Sequence, residues 1–345
     1  MRPYRNQSAD GIRRRKFTTV PNDTSSRPSR ALGGAASARP RPRHAGPFAG
    51  PLPILTAAVL WGTTGTASSL APAGVPAAAI GAAGLVLGGL LLFLTAPGSR
   101  SLPGACTGGE RRLLALGTLA VAGYPLAFYP AVARTGVAVA TVIALGGAPV
   151  FAGLLAWFTS RSRPSARWAT ATAAAVLGCT VLVLGPGLAG DGAPVDVLGV
   201  VSAGLAGLSY AVYALVGGRL IAHGHASGAV LGVMFGGAAL LVLPVVLWSA
   251  GGGLLTVRGA LVVLYLGAVT TFLCYRLFGH GLRRTAPQTA TTLTLAEPAV
   301  AAVLGVAVLG ERLPGVSWCG LAVLALGIVL LAVPVGSRGR GTRHE

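Results

Sequence analysis

The chain has 345 residues, of which 53% are hydrophobic and only 10% are charged, and its formal net charge is +19. Soluble domains carry about 25% charged residues, so this composition excludes an ordinary soluble globule. The basic excess does not indicate a nucleic-acid-binding protein, because eleven of the 27 Lys and Arg residues precede residue 45 and most others lie in short loops. We therefore predict an all-α polytopic membrane protein.

The N-terminal segment, residues 1–48, is rich in Arg, Pro, Ser, Ala and Gly and has no apolar periodicity. Such a segment cannot bury enough apolar surface to fold, so we predict a disordered basic tail. Its positive charge suits contact with anionic lipid headgroups on the cytoplasmic side of the membrane.

Ten apolar segments follow, each close to the length that a helix needs to cross a bilayer. Five form a first half, residues 49–187, five form a second half, residues 195–334, and residues 335–345 form a C-terminal tail. The predicted segments are 52–71, 74–96, 112–133, 136–159, 167–186, 196–219, 227–249, 259–281, 286–310 and 315–334.

The distribution of Arg predicts the orientation of these segments. If the N-terminus is cytoplasmic, twelve Arg residues of the connections and of the C-terminal tail lie inside, and three, Arg134, Arg258 and Arg312, lie outside. Cytoplasmic loops carry the excess of positive residues. Both termini are therefore predicted to be cytoplasmic, in a multi-pass protein of the cell inner (cytoplasmic) membrane.

The two halves of the chain repeat each other. Residues 134–141 align with residues 284–291 at an offset of 150, and Pro149 aligns with Pro298 at an offset of 149. Because five crossings per half is an odd number, the second half must enter the membrane inverted. Inverted repeats are typical of secondary transporters, and helix breakers at matching positions indicate the binding site.

Glu297 lies near the middle of the ninth segment, where a carboxylate is costly and functional by default. Three roles stay open: binding a cationic or zwitterionic substrate, carrying a proton in antiport, or accepting structural hydrogen bonds. Pro298 lacks an N–H and is predicted to open the helix one turn earlier, near Thr294. The freed carbonyls either contact substrate or are satisfied by Thr291, Thr292 and Thr294.

Arg276 is the second charged residue inside a predicted span. Its side chain either snorkels to the cytoplasmic surface, pairs with Glu297, or binds an anionic group of a substrate. Amphipathic aromatic residues are further candidates, because each combines apolar bulk with a polar tip. As a set they fit a cavity for a small organic metabolite: Trp61, Tyr124, Tyr129, Tyr210, Tyr213 and Tyr275.

No metal or cofactor site is predicted. The four Cys residues are far apart without CxxC spacing, and His223 and His225 lie in a short loop with no other ligand type nearby in the sequence. The sequence has no Walker motif, GxSxG elbow or HExxH motif, so an ATP-driven pump or a hydrolase is not expected.

The last part of the chain resembles the corresponding part of a known protein family. The run LAEPAVAAVLGVAVLGERL at residues 295–313, followed by Gly320 and Leu326-Gly327, resembles the end of an EamA domain. Trp61-Gly62 and LSYAVY at residues 208–213 are similar to other EamA features. The resemblance covers about residues 50–334. In the first half, Ala148 stands where the carboxylate of the Glu-Pro pair is expected, and RSR at residues 161–163 replaces Gly-Glu-Arg.

The resemblance implies a drug/metabolite transporter with two five-helix domains, which exports a small metabolite, amino-acid-like compound or drug by alternating access. A proton gradient acting through Glu297 is the expected driving force. An uncoupled facilitator or an uptake permease is the alternative, whereas a membrane-embedded enzyme or sensor scaffold has only Glu297 and Arg276 to work with. The expected partners are a small-molecule substrate and the lipid bilayer, without nucleic acid, and a homodimer is left open.

Overall fold

The computed structural model describes residues 48–160, 164–185, 196–249, 252–309 and 314–333. Nearly all of these residues are helical and none forms a strand, which confirms the all-α prediction. The predicted disordered tail, apart from residue 48, and the C-terminal tail of residues 335–345 lie outside the described residues. Arg312 and the RSR run at residues 161–163 lie outside them as well.

The helices of the described part are numbered in chain order, and a π-helical segment, Leu266–Leu273, joins α9 to α10. They are α1 Pro51–Gly62, α2 Thr64–Ser69, α3 Ala77–Thr95, α4 Leu102–Ala105, α5 Gly108–Ser160, α6 Ala166–Leu184, α7 Val197–Ala222, α8 Ser227–Ser249, α9 Val257–Tyr265, α10 Cys274–Leu282, α11 Pro287–Leu293, α12 Ala296–Leu309 and α13 Gly315–Ala332.

Nine stretches of the described residues are long and apolar enough to cross a bilayer, and they correspond to the second to tenth predicted segments. Helix α5 supplies two of them, because Gly136, at a φ of 81°, turns the chain in its middle. The first predicted segment breaks at Thr63 into α1 and α2, each shorter than the roughly 20 residues that a crossing needs. The tenth crossing and the cytoplasmic side of the termini stay predictions.

Helices at matching places in the two halves make matching contacts. The last helices of both halves, α6 and α13, pack together, as do the second helices, α3 and α8. Helix α1 packs on α12. Correspondingly, α7 packs on the second half of α5, where Gly207 faces the carbonyl of Ala144. This correspondence follows from the internal repeat, because corresponding helices of the two halves have similar surfaces and pack against corresponding partners.

The contact between α6 and α13 brings backbone against backbone. A Cβ added to Gly178 would lie 2.2 Å from the backbone nitrogen of Leu324, and one added to Gly327 would lie 2.6 Å from that of Ala175. Gly178 and Gly327 are matching residues of the two repeats. Small residues allow membrane helices to approach this closely, so the glycine pair sets the distance between the halves here.

We expect Gly178→Ala to destabilise the protein by about 1–3 kcal/mol, because the added methyl group meets backbone atoms that cannot turn aside. The midpoint of thermal unfolding of the detergent-solubilised protein measures the effect. Gly204→Ala in α7 is the matched control, since a Cβ there meets no atom within 4 Å. Alanine is the better helix former, so this control should keep or raise the midpoint. Equal midpoints for the two variants would contradict the close packing of α6 on α13.

Candidate functional site

The candidate site lies where three helices lose regular α-helical hydrogen bonding. The chain breaks at Thr63 between α1 and α2, becomes π-helical over Leu266–Leu273, and breaks again at residues 294–295 between α11 and α12. Secondary transporters build their binding sites at discontinuous helices, and π-helical turns are frequent at functional sites. The three irregularities contribute residues to one cavity.

The break between α11 and α12 has its origin in Pro298, which has no N–H to donate. Just before it, Leu295 donates its N–H to the carbonyl of Thr292 at 3.1 Å, and Glu297 donates to that of Thr294 at 3.0 Å. These bonds reach back three and not four residues. The predicted opening near Thr294 is therefore confirmed. It places Glu297 in the first turn of α12, where the helix dipole favours a negative charge.

The threonines around the break satisfy backbone carbonyls. The hydroxyls of Thr291 and Thr292 both donate to the carbonyl of Gln288 at 3.0 Å, and that of Thr294 donates to the carbonyl of Thr291 at 2.9 Å. The hydroxyl of Thr294 also accepts a hydrogen bond from the Tyr210 hydroxyl at 2.8 Å. All three threonines are buried behind the cavity wall, so they support the wall and do not line it.

The cavity encloses about 260 Å³, below the ~300–1,000 Å³ of drug-sized ligand pockets, which fits a small metabolite. Its lining includes Glu297 and all six predicted aromatic residues. The lining residues are Trp61, Thr64, Gly81, Gly84, Leu85, Val121, Tyr124, Pro125, Phe128, Tyr129, Thr141, Leu145, Tyr210, Tyr213, Phe235, Leu266, Thr270, Thr271, Tyr275 and Glu297.

Aromatic rings form a connected network in this wall. The ring centroids of Trp61 and Tyr275 are 5.0 Å apart, those of Tyr210 and Tyr213 are 5.1 Å apart, and those of Phe235 and Tyr275 are 4.0 Å apart. The hydroxyls of Tyr213 and Tyr275 are joined by a hydrogen bond of 3.0 Å. These contacts limit the movement of each ring and hold the aromatic residues together in the cavity wall.

Two hydrogen bonds tie the broken first helix to the π-helical region. The indole N–H of Trp61 donates to the carbonyl of Thr270 at 2.7 Å, and the hydroxyls of Thr63 and Tyr265 are 2.7 Å apart. Thr270 lies within the π-helical segment. Trp61 is thus fixed both by packing and by a bond to an irregular part of a helix in the other half of the chain.

Glu297 is half-buried and borders the cavity. Within the described ranges its carboxylate forms no ion pair and accepts no side-chain hydrogen bond. The ion pairs found there join Arg134 to Asp196, and Glu110 to His223 and His225.

The structure places the other predicted residues away from the cavity wall. Pro149 and Pro298 are buried within their helices. Arg276 is exposed on α10 with its guanidinium carbon 5.6 Å from the ring centroid of Phe272, and it does not pair with Glu297. An exposed position on the outside of the bundle agrees with a snorkelling side chain.

Sequence reasoning missed several residues of the wall, namely Thr64, Thr141, Thr270, Thr271 and Phe235. The internal repeat could have identified Thr141, because this residue aligns with the predicted site residue Thr291 at the offset of 150. Thr270 and Thr271 reach the cavity through the π-helical segment, for which the sequence carries no comparable signal.

Comparisons with known proteins agree with the repeat and with the fold. The family model of the "EamA-like transporter family" matches residues 48–184 and 197–333. The "Uncharacterized transporter YwfM" of Bacillus subtilis (strain 168) is 38% identical over 280 residues, which cover 81% of this chain and 92% of that protein. A solved structure titled "Crystal structure of protein" shares the fold at a TM-score of 0.64, with 19% identity, covering 81% of this chain and 94% of the other.

We expect Gly81→Ala to destabilise the protein by about 1–3 kcal/mol, because a Cβ at this position would lie 1.4 Å from the Tyr129 hydroxyl in the cavity wall. Thermal unfolding of the purified variants measures the cost. In a Tyr129→Ala background the same substitution should cost little, since the obstructing ring is gone. An equal cost in both backgrounds would contradict the contact between α3 and Tyr129.

Proposed function

Since this chain belongs to the EamA-like transporter family, we propose that it is a secondary transporter that exports a small cationic or zwitterionic metabolite or drug in exchange for protons. The observation that carries the proposal is the Glu297 carboxylate, which faces an aromatic-walled cavity without a cationic side chain beside it among the described residues.

The charge of Glu297 determines the class of substrate. A carboxylate withdrawn from water needs a partner, because removing an ion from water costs several kcal/mol unless opposite charge and hydrogen bonds compensate it. An ammonium group of a solute in the cavity provides that compensation. An amino-acid-like zwitterion also fits, since Thr64, Thr141 and Thr271, which carry hydroxyl groups, are among the residues that line the same cavity. An anionic substrate would be repelled.

The aromatic wall favours the same class. Cations are attracted to the faces of Trp and Tyr by about 0.5–2 kcal/mol each, more where water is excluded. Trp61, Tyr210, Tyr213 and Tyr275 offer such faces around a cavity that also contains Glu297. A neutral or anionic compound of equal size would gain none of this attraction, so the wall adds selectivity to the carboxylate.

A single carboxylate also supplies a means of proton coupling. Protonated Glu297 has no charge with which to hold a cation, and a bound cation disfavours protonation, so the two ligands exclude each other at one site. In the outward-open state a proton binds Glu297 and the cation leaves. In the inward-open state the proton leaves to the cytoplasm and a cation binds. One proton enters for each monovalent cation exported.

The helix breaks provide places at which the cavity can change sides. Alternating access requires helices to move around a fixed site. Hinge residues are few and lie at the ends of elements, as do Thr63 and residues 294–295. Both breaks adjoin the cavity, so bending there changes access to Glu297 without separating the α6–α13 pair.

An uncoupled facilitator is the second candidate, and one observation favours it. The position in the first half that corresponds to Glu297 is Ala148, which is buried and does not line the cavity. A transporter with one carboxylate can bind its cation there and release it down the gradient without any exchange of protons. The two candidates share the binding site and differ only in proton movement.

We expect Glu297→Gln to weaken the binding of cations to the cavity. Purified protein is screened by thermal shift against primary amines, quaternary ammonium compounds, amino acids, sugars and carboxylic acids. Cationic members should raise the unfolding temperature of the wild type, because a ligand that binds only the folded state stabilises it. Their affinity should fall at least about tenfold in Glu297→Gln, which corresponds to about 1.4 kcal/mol.

Asp196→Asn is the matched control for this screen, because it removes a carboxylate from the exposed pair with Arg134 outside the cavity. This control should bind the amines as the wild type does. Amine binding by Glu297→Gln with the affinity of the wild type, or a preference for sugars or carboxylic acids in the wild type, would refute the assignment of the substrate class.

Proton coupling is tested in proteoliposomes that contain a pH-sensitive dye and the amine with the highest affinity. An outward amine gradient should drive protons inward with the wild type, and Glu297→Gln should show neither movement. Amine flux without any proton movement in the wild type would sink the antiport mechanism and leave the facilitator.

A further inference from the structure

A second cluster of chemically active side chains lies outside the cavity, between α4 and α5 and beside the loop that joins α7 to α8. His223 and His225 come from that loop, Glu110 from the first turn of α5, and Cys106 from the link between α4 and α5. The Glu110 Oε1 atom lies 3.2 Å from His223 Nδ1 and 3.2 Å from His225 Nε2. The Cys106 Sγ atom lies 3.9 Å from His225 Nε2.

The two 3.2 Å separations are close to the edge of a tetrahedral zinc site, and the 3.9 Å between Cys106 Sγ and His225 Nε2 is a little longer than that edge. With Zn–N and Zn–O distances of about 2.0–2.1 Å and Zn–S of about 2.3 Å, adjacent ligand atoms are about 3.3–3.6 Å apart. Ligand atoms of Cys106, Glu110 and His225 all lie within 4.8 Å of one another. Thiolate, imidazole and carboxylate are the three ligand types that zinc uses in proteins.

The carboxylate is held in place before any ion binds. The Glu110 Oε2 atom accepts hydrogen bonds from the backbone N–H and from the hydroxyl of Thr107, both at 2.9 Å, in a capping box at the start of α5. Oε1 is therefore the atom turned toward both histidines. Such outer partners orient metal ligands and fix their direction.

The loop geometry brings two imidazoles to one carboxylate oxygen. Gly224 between them has a φ of +98°, a conformation that glycine adopts at no steric cost. The backbone N–H of His223 bonds the Arg219 carbonyl at 3.0 Å, and that of His225 bonds the Leu220 carbonyl at 3.2 Å. The turn is thus anchored to the end of α7.

We propose that this cluster binds a zinc ion through Cys106 Sγ, Glu110 Oε1 and His225 Nε2, with His223 or water as the fourth ligand. Ion pairs between Glu110 and protonated histidines account for the imidazoles but leave the buried thiol beside His225 without a role. The sequence predicted no metal here because Glu110 is 113 residues from His223 along the chain. Folding supplies the ligand types that the loop lacks.

A zinc ion at this position would hold two distant segments of the chain together. It joins the start of α5, in the first half of the chain, to the α7–α8 loop, in the second half, on the side predicted to face the cytoplasm. A bound zinc ion cross-links these segments. Zinc should therefore raise the unfolding temperature of the protein as well as bind to it.

The test uses the purified full-length chain, with any affinity tag removed and metals stripped by a chelator, titrated with Zn²⁺ and with Co²⁺ as a spectroscopic substitute. We expect one ion per chain, a thiolate-to-Co²⁺ charge-transfer band, and a higher unfolding temperature with Zn²⁺. Cys106→Ser should abolish the band. His225→Gln should weaken binding by more than the roughly 10–100-fold that loss of an outer partner costs.

Cys319→Ser and His280→Gln are the matched controls, since both residues are exposed and lie outside the cluster. They should bind Zn²⁺ and Co²⁺ as the wild type does. Unfolding temperatures without metal show whether each ligand variant is folded, and the two ligand variants are judged independently. The proposal is overturned if the wild type binds less than one ion, or if folded Cys106→Ser and His225→Gln bind as tightly as the controls.

Discussion

The Glu297 carboxylate in the first turn of α12 is the feature on which the site depends. Pro298 cannot donate the hydrogen bond that would continue α11 into α12, so the chain opens at residues 294–295. Buried threonines take up the carbonyls of this region, and one of them holds the hydroxyl of Tyr210. A costly charge thereby reaches an internal cavity while the backbone around it stays satisfied.

The packing of the helices is nearly the same in the two halves, but the helix breaks and the acidic residue at the cavity are not duplicated. Helices at matching places make matching contacts, and Gly178 and Gly327 play equivalent parts between α6 and α13. The irregular helices, in contrast, are α1–α2, the π-helical segment and α11–α12, whereas Pro149 lies within the unbroken second half of α5. The acid and the break beside Pro298 thus belong to the second half, whereas the matching helix of the first half is continuous at Pro149.

The cavity and the proposed zinc site offer different kinds of ligand groups. The cavity offers a lone carboxylate and aromatic faces, which suit an organic cation that must also leave. The cluster of Cys106, Glu110, His223 and His225 offers a soft thiol and imidazoles at metal-ligand spacing, which suit an ion that stays. A zinc ion bound there would connect the start of α5 to the α7–α8 loop.

The sequence by itself determined the all-α membrane class, the repeat, the opening of the helix before Pro298, and the aromatic and acidic members of the cavity. Hydropathy, a 150-residue offset, a missing proline N–H and the cost of a buried carboxylate act locally along the chain. Only the tertiary structure decided that Thr270 and Thr271 join the wall, that Arg276 does not pair with Glu297, and that Glu110 and Cys106 meet the histidine loop. Those outcomes depend on helix rotation and on contacts between segments more than a hundred residues apart, which no local pattern encodes.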